Sequence, residues 1–89
     1  MSNSSTAAKR HRQNIKRRAR NRTVKSELRT NTRKLLELVQ NRSTEDAKKQ
    51  YVSVASLLDR AVSKGVLHKN TAARRKARLS RRVNELISS

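Results

Sequence analysis

The stretch Ser43–Gly65, STEDAKKQYVSVASLLDRAVSKG, decides the fold. Its apolar residues Ala47, Tyr51, Val54, Ala55, Leu58, Ala61 and Val62 recur at steps of three and four, the spacing of one helix face. Both ends are marked. Ser43 with Asp46 three residues later is a capping-box variant, and Glu45 and Asp46 suit the positive end of a helix dipole. Gly65 stands where the left-handed residue after a helix C-terminus belongs. A helix over about 44–64 follows.

Downstream, Val66-Leu67-His68-Lys69 is a connection and Asn70 a suitable N-cap for a helix over about 71–86. Its apolar side is Ala72, Leu79, Val83 and Leu86, opposite Arg74, Arg75, Lys76, Arg78, Arg81 and Arg82. Upstream, Asn41-Arg42-Ser43-Thr44 is a turn, and a first helix of about 7–41 precedes it. Ile15, Ala19, Val24, Leu28, Leu35 and Val39 lie along one side of this helix, but the stripe is dense only from Val24 onward. Before Val24, Arg and Lys cover every face, so nothing there can drive packing. No Pro and a single Gly interrupt the chain, which favours helix throughout. The expected fold is therefore all-α: a three-helix antiparallel bundle whose long first helix projects beyond it, with residues 1–6 as a flexible N-terminus and 7–89 as one domain. Tyr51, Leu58, Leu79 and Val83 are expected in its core.

A chain of 89 residues supports one small domain. With 33% hydrophobic residues, no Phe or Trp and one Tyr, the core must come from Leu, Val, Ile and Ala. The absence of Cys excludes disulfides and thiolate metal sites. No apolar run approaches the ~20 residues of a membrane span, and the opening MSNSSTAAKRHRQ lacks the apolar segment of a secretory signal.

Charge is the second strong signal. Residues 1–34 carry +11, residues 35–65 +1 and residues 66–89 +6, making up the formal +18. The charge thus lies at both ends around a nearly neutral middle. Such a distribution suits a polyanion, because neutralising phosphates releases condensed counterions. Arg outnumbers Lys in the first segment, which favours bidentate phosphate contacts. Self-repulsion there predicts that residues 1–22 are largely disordered until a counter-charge is present. With a single aromatic residue, recognition by base stacking on rings is not expected, and backbone and shape become the expected targets. The phosphate-holding candidates are Lys9, Arg10, Arg12, Lys16, Arg17, Arg18, Arg20 and Arg22 along the rod, continued by Lys25 and Arg29. His68, Lys69 and Asn70 at the second turn could meet a phosphate at a helix N-terminus, with Arg74, Arg75, Arg78 and Arg82 behind them.

Catalysis has little to stand on. The six acids are scattered and read as caps and surface ion pairs, His11 and His68 lack carboxylate partners at ligand spacing, and no Gly-rich phosphate loop occurs. No enzyme, metal, cofactor or small-molecule substrate is expected. A DNA-compacting, nucleoid-type protein shares the charge pattern and is the alternative reading. A membrane-active amphipathic helix fits poorly, since the most basic half of the first helix has no apolar face.

The segment Lys64-Gly65-Val66-Leu67-His68-Lys69-Asn70-Thr71-Ala72-Ala73-Arg74-Arg75-Lys76 resembles the signature of the bacterial and plastid small-subunit ribosomal protein twenty family. Ala8-Lys9-Arg10-His11-Arg12-Gln13, Lys16-Arg17-Arg18, Asn21-Arg22 and Lys25-Ser26-Glu27-Leu28-Arg29-Thr30 are also similar. Ser2–Ala7 departs from the family's usual start, and Leu35–Val62 matches in helical pattern rather than in residues. The resemblance implies a three-helix bundle with a projecting first helix. It also implies direct binding to small-subunit ribosomal RNA during early assembly, between the 5′ domain and the long 3′ minor-domain helix, with few or no protein contacts required. The location it implies is the small ribosomal subunit, in the bacterial cytoplasm or the plastid stroma.

Overall fold

Three helices in sequence build the molecule: α1 (Ser2–Gln40), α2 (Thr44–Ser63) and α3 (Lys69–Ser88). The computed structural model describes the backbone of residues 2–88 and the side chains of residues 6–88. The all-α fold with a long first helix agrees with the sequence reading. The boundaries differ at the outer ends, since α1 begins at Ser2 instead of about residue 7 and α3 covers 69–88 instead of 71–86. The rod expected to be disordered without a counter-charge is continuous helix, as are residues 2–6 of the expected flexible N-terminus; Met1 lies outside the described residues. Nothing in that stretch breaks a helix, and Ala, Arg, Lys and Gln all sustain one.

α2 holds the bundle together. It packs against both neighbours, whereas α1 and α3 touch each other little. The core is Val24, Leu28 and Leu35 of α1, Ala47, Val54, Leu58 and Ala61 of α2, and Ala72, Leu79 and Val83 of α3. Leu35, Leu58 and Val54 are the largest fully buried side chains. Leu58, Leu79 and Val83 take their expected places. Tyr51 does not: it is half-buried at the core's edge, with its hydroxyl 3.5 Å from the Lys76 carbonyl oxygen. The interior position beside it belongs to Gln50, 9% exposed. Gln50 Nε2 donates to the Asn31 carbonyl at 3.0 Å and to Asn31 Oδ1 at 3.1 Å, and Asn31 Nδ2 donates to the Glu27 carbonyl at 2.8 Å. A buried amide is tolerated because its donors are satisfied.

Both turns close α-helices in the same way. After α2, Gly65 N–H donates to the Val62 carbonyl at 3.0 Å and Val66 N–H to the Ala61 carbonyl at 2.9 Å, with Gly65 at φ +75°. These are the two bonds of a Schellman cap, at the glycine the sequence marked. After α1, Arg42 N–H donates to the Val39 carbonyl at 3.1 Å and Ser43 N–H to the Leu38 carbonyl at 3.0 Å. Here the left-handed residue is Arg42, φ 58°, a conformation that costs a residue with a Cβ on the order of 1 kcal/mol.

The tight first turn also corrects the capping box. Ser43 is the N-cap of α2, but its side chain makes no capping hydrogen bond. Its N–H, the group that Asp46 would have to reach, is already bonded to Leu38. At α3 the cap is His68 instead of Asn70. His68 Nδ1 accepts the Asn70 N–H at 3.1 Å, and the His68 carbonyl accepts the Ala72 N–H at 3.1 Å.

The shape follows from α1. A helix of 39 residues is about 58 Å long at 1.5 Å per residue, and α2 and α3 have 20 residues each. The molecule measures 67 × 21 × 14 Å, and its radius of gyration of 17.7 Å exceeds the ~12 Å of a compact chain of this size.

Candidate nucleic-acid interface

The rod supplies the first surface. Every side chain from Thr6 to Arg20 is exposed, including Ile15 at 53%. Lys9, Arg10, Arg12, Lys16, Arg17, Arg18 and Arg20 therefore stand in solvent on a helix that has no packing partner over those turns. Where the rod meets the bundle, Arg20 Nη2 lies 3.5 Å from the carbonyl of Lys64, the C-cap of α2. That places a cation at the negative end of the α2 dipole, and a guanidinium keeps further donors for another acceptor.

Below Arg20 the basic surface continues without a gap. Arg18, Arg22, Lys25 and Arg29 line an open hollow with Asn21 and Ser26. Lys25 and Arg29 also belong to a larger groove, of about 770 Å³, between α1 and α3. Its rim carries Lys25, Arg29 and Arg33 from α1 and Arg75, Arg78 and Arg82 from α3. Leu36, Val66 and Leu67 form its half-buried floor, over the buried Leu28, Leu58 and Leu79. No acid lines it. The groove exists because α2 holds the other two helices while they scarcely meet each other.

All the residues expected to hold phosphates are exposed, and among the described residues none of them is in an ion pair. The structure does not gather them all into one place. Arg75, Arg78 and Arg82 face Lys25 and Arg29 across the groove, whereas Arg74 lies off it. His68, Lys69 and Asn70 stand together where α3 begins. His68 Nδ1 is occupied by the cap, so neutral His68 carries its proton on Nε2 and presents a donor outward.

Arg33 was missed by the sequence reading, which ended the basic surface at Arg29. The signal was available: Lys25, Arg29 and Arg33 are spaced by four and so share a face of α1. The ion pairs lie elsewhere, Lys76 Nζ to Asp59 Oδ1 at 2.6 Å between α3 and α2, and Lys48 Nζ to Glu45 Oε1 at 3.6 Å within α2. Among the described residues, no helix is long and apolar enough to cross a membrane, and no group of three His, Asp or Glu could hold a metal ion.

Comparison with known proteins gives this surface its context. The family model described as Ribosomal protein S20 matches residues 2–84. The chain belongs to the ribosomal protein S20 family. Among its relatives, the small ribosomal subunit protein bS20 of Koribacter versatilis is 49% identical over 88 residues, covering 99% of either chain. That of Pelotomaculum thermopropionicum is 45% identical over 86 residues, 97% of this chain and 98% of the relative. That of Teredinibacter turnerae is 43% identical over 88 residues, 99% of this chain and all of the relative. Similarity to the S20 family thus spans both the rod and the bundle, in agreement with the resemblance read from the His68-Lys69-Asn70 segment.

Proposed function

We propose that this chain fastens small-subunit ribosomal RNA by laying two joined basic surfaces on it, the rod of α1 and the groove between α1 and α3. Family membership makes the chain a structural component of the small ribosomal subunit and not an enzyme. In bacteria that places it in the cytoplasm. The finer reading assigns the phosphate contacts to Lys9, Arg10, Arg12, Lys16, Arg17, Arg18, Arg20 and Arg22 on the rod and Lys25 and Arg29 at its base. Arg33, Arg75, Arg78 and Arg82 hold phosphates at the groove, with His68, Lys69, Asn70 and Arg74 at the start of α3. Two surfaces along a 67 Å molecule can reach two RNA segments at once. The segments suggested by the family resemblance are the 5′ domain and the long 3′ minor-domain helix, held with few or no protein contacts.

The observation that carries this reading is the continuity of unpaired cations from rod to groove through Lys25 and Arg29, which line both hollows. A solvated surface needs no such alignment, whereas a polyanion laid along the molecule does. The test is a titration with small-subunit ribosomal RNA at physiological salt, with excess transfer RNA and duplex DNA as competitors. Binding that survives both competitors, with a steep dependence on salt, is the expected result. Binding erased equally by duplex DNA would overturn the assignment and favour a DNA-compacting role.

A further inference from the structure

We infer that the groove between α1 and α3 receives one unstacked RNA base together with its flanking phosphates. Recognition then includes a bound base as well as RNA backbone and shape. This rests on the reading that the chain binds ribosomal RNA.

The groove differs from the rest of the basic surface in one respect. On the rod, exposed cations have no apolar floor among them, which suits phosphates. In the groove, six cations surround apolar side chains that the fold leaves only half covered, Leu36, Val66 and Leu67. Phosphates would use the rim and leave that floor wet. An apolar ligand would use the floor and gain nothing from the rim. A nucleotide with its base turned out of the stack has both parts, a flat body of low polarity and an anionic edge. At about 770 Å³, the groove has room for a base.

The scarcity of aromatic rings does not stand in the way. Unstacked bases also lie against guanidinium planes and apolar side chains. Arg29 and Arg33 on one wall and Arg75, Arg78 and Arg82 on the other provide the planes. Continuity with the hollow at the base of the rod, through Lys25 and Arg29, gives the strand a path from one surface to the next. The absence of any acid in the lining argues against a basic or zwitterionic occupant.

Thr32 offers a clean test. It lines the groove, is half-buried, and belongs neither to the core nor to the cations. Thr32→Trp fills the groove without removing a charge, and Ser56→Trp, the same bulk on an exposed position of α2 outside the groove, is the control. The readouts are affinity for small-subunit ribosomal RNA across a range of salt and the dimethyl sulfate footprint on its unpaired bases. Expected for Thr32→Trp is a loss of about tenfold in affinity, the size of one lost base contact. Protection of at least one unpaired adenine or cytosine should vanish with it. Ser56→Trp should behave as the parent. If the Trp variant fails to fold, Thr32→Leu under the same readouts replaces it.

Unchanged affinity and footprint in the filled variant would overturn the inference. A loss with a flatter salt slope and every base protection intact would also overturn it, because the groove would then hold phosphates alone. Failure of the parent chain to bind the RNA would strike the underlying reading instead, and is distinguished by being seen before any variant is made.

Discussion

Residues 6–20 of α1 and the whole of α2 are both unbroken helix, yet opposite forces account for them. The rod buries no side chain, and its cations repel one another along the helix. α2 buries Ala47, Gln50, Val54, Leu58 and Ala61 along one line and meets both of its neighbours. Packing therefore sets the fold in α2, while in the rod no buried side chain does, and only helix-favouring residue types support the helix. The comparison separates two properties that small basic proteins usually mix. Stability resides in the buried face of the bundle, and the proposed RNA contacts in exposed cations that the core does not use, +7 of the formal +18 lying on residues 6–20.

The sharpest way to break this division is in the core. Leu58 is 1% exposed on the buried face of α2, and Leu58→Ala should lower bundle stability by about 2–5 kcal/mol. Urea denaturation followed by circular dichroism would measure it. A midpoint like the parent's would mean that α2 does not hold the bundle.

The two turns come next, and they predict opposite signs. A Cβ at Gly65 would meet nothing within 4 Å, so only its φ of +75° opposes substitution. Gly65→Ala should cost about 1–2 kcal/mol. Arg42→Gly relieves the same conformation at the other turn and should stabilise by up to about 1 kcal/mol. Thermal melts of the pair test both. Shifts of the same sign would contradict the shared geometry of the two caps.

A smaller effect is expected at Gln50. Gln50→Ala removes the hydrogen bonds to Asn31 and should cost on the order of 1 kcal/mol, measured by the same denaturation curves. A neutral result would show that the buried amide fills space and does no more.

These positions also show how far the sequence could be read. The stripe of α2, the exposed rod, the glycine closing α2 and the family signature were all legible, because each is a local pattern of residue type. Gln50 was not, since the hydrophobic pattern looks only for apolar residues. Its burial follows from lying midway between Ala47 and Val54, with Asn31 opposite to satisfy it. Tyr51 was placed one position too deep for the same reason. Arg42 was hidden because nothing about an arginine advertises a left-handed backbone; the short turn imposes it. The cap of α3 went to His68 and not to Asn70 because the helix starts at Lys69, leaving Asn70 inside it. Of the candidate interface, the exposure of the cations was legible from charge alone. The groove was not, because it depends on how far apart α2 holds α1 and α3.

One paired measurement tests the division between rod and bundle most directly. In a variant carrying Arg12→Gln, Lys16→Gln and Arg18→Gln, the slope of log affinity for small-subunit ribosomal RNA against log salt is compared with the urea midpoint. The slope should flatten by about 2–3 units while the midpoint stays where it was or rises. An unchanged slope would remove the rod from the RNA interface, and a collapsed midpoint would show that its charges belong to the fold after all.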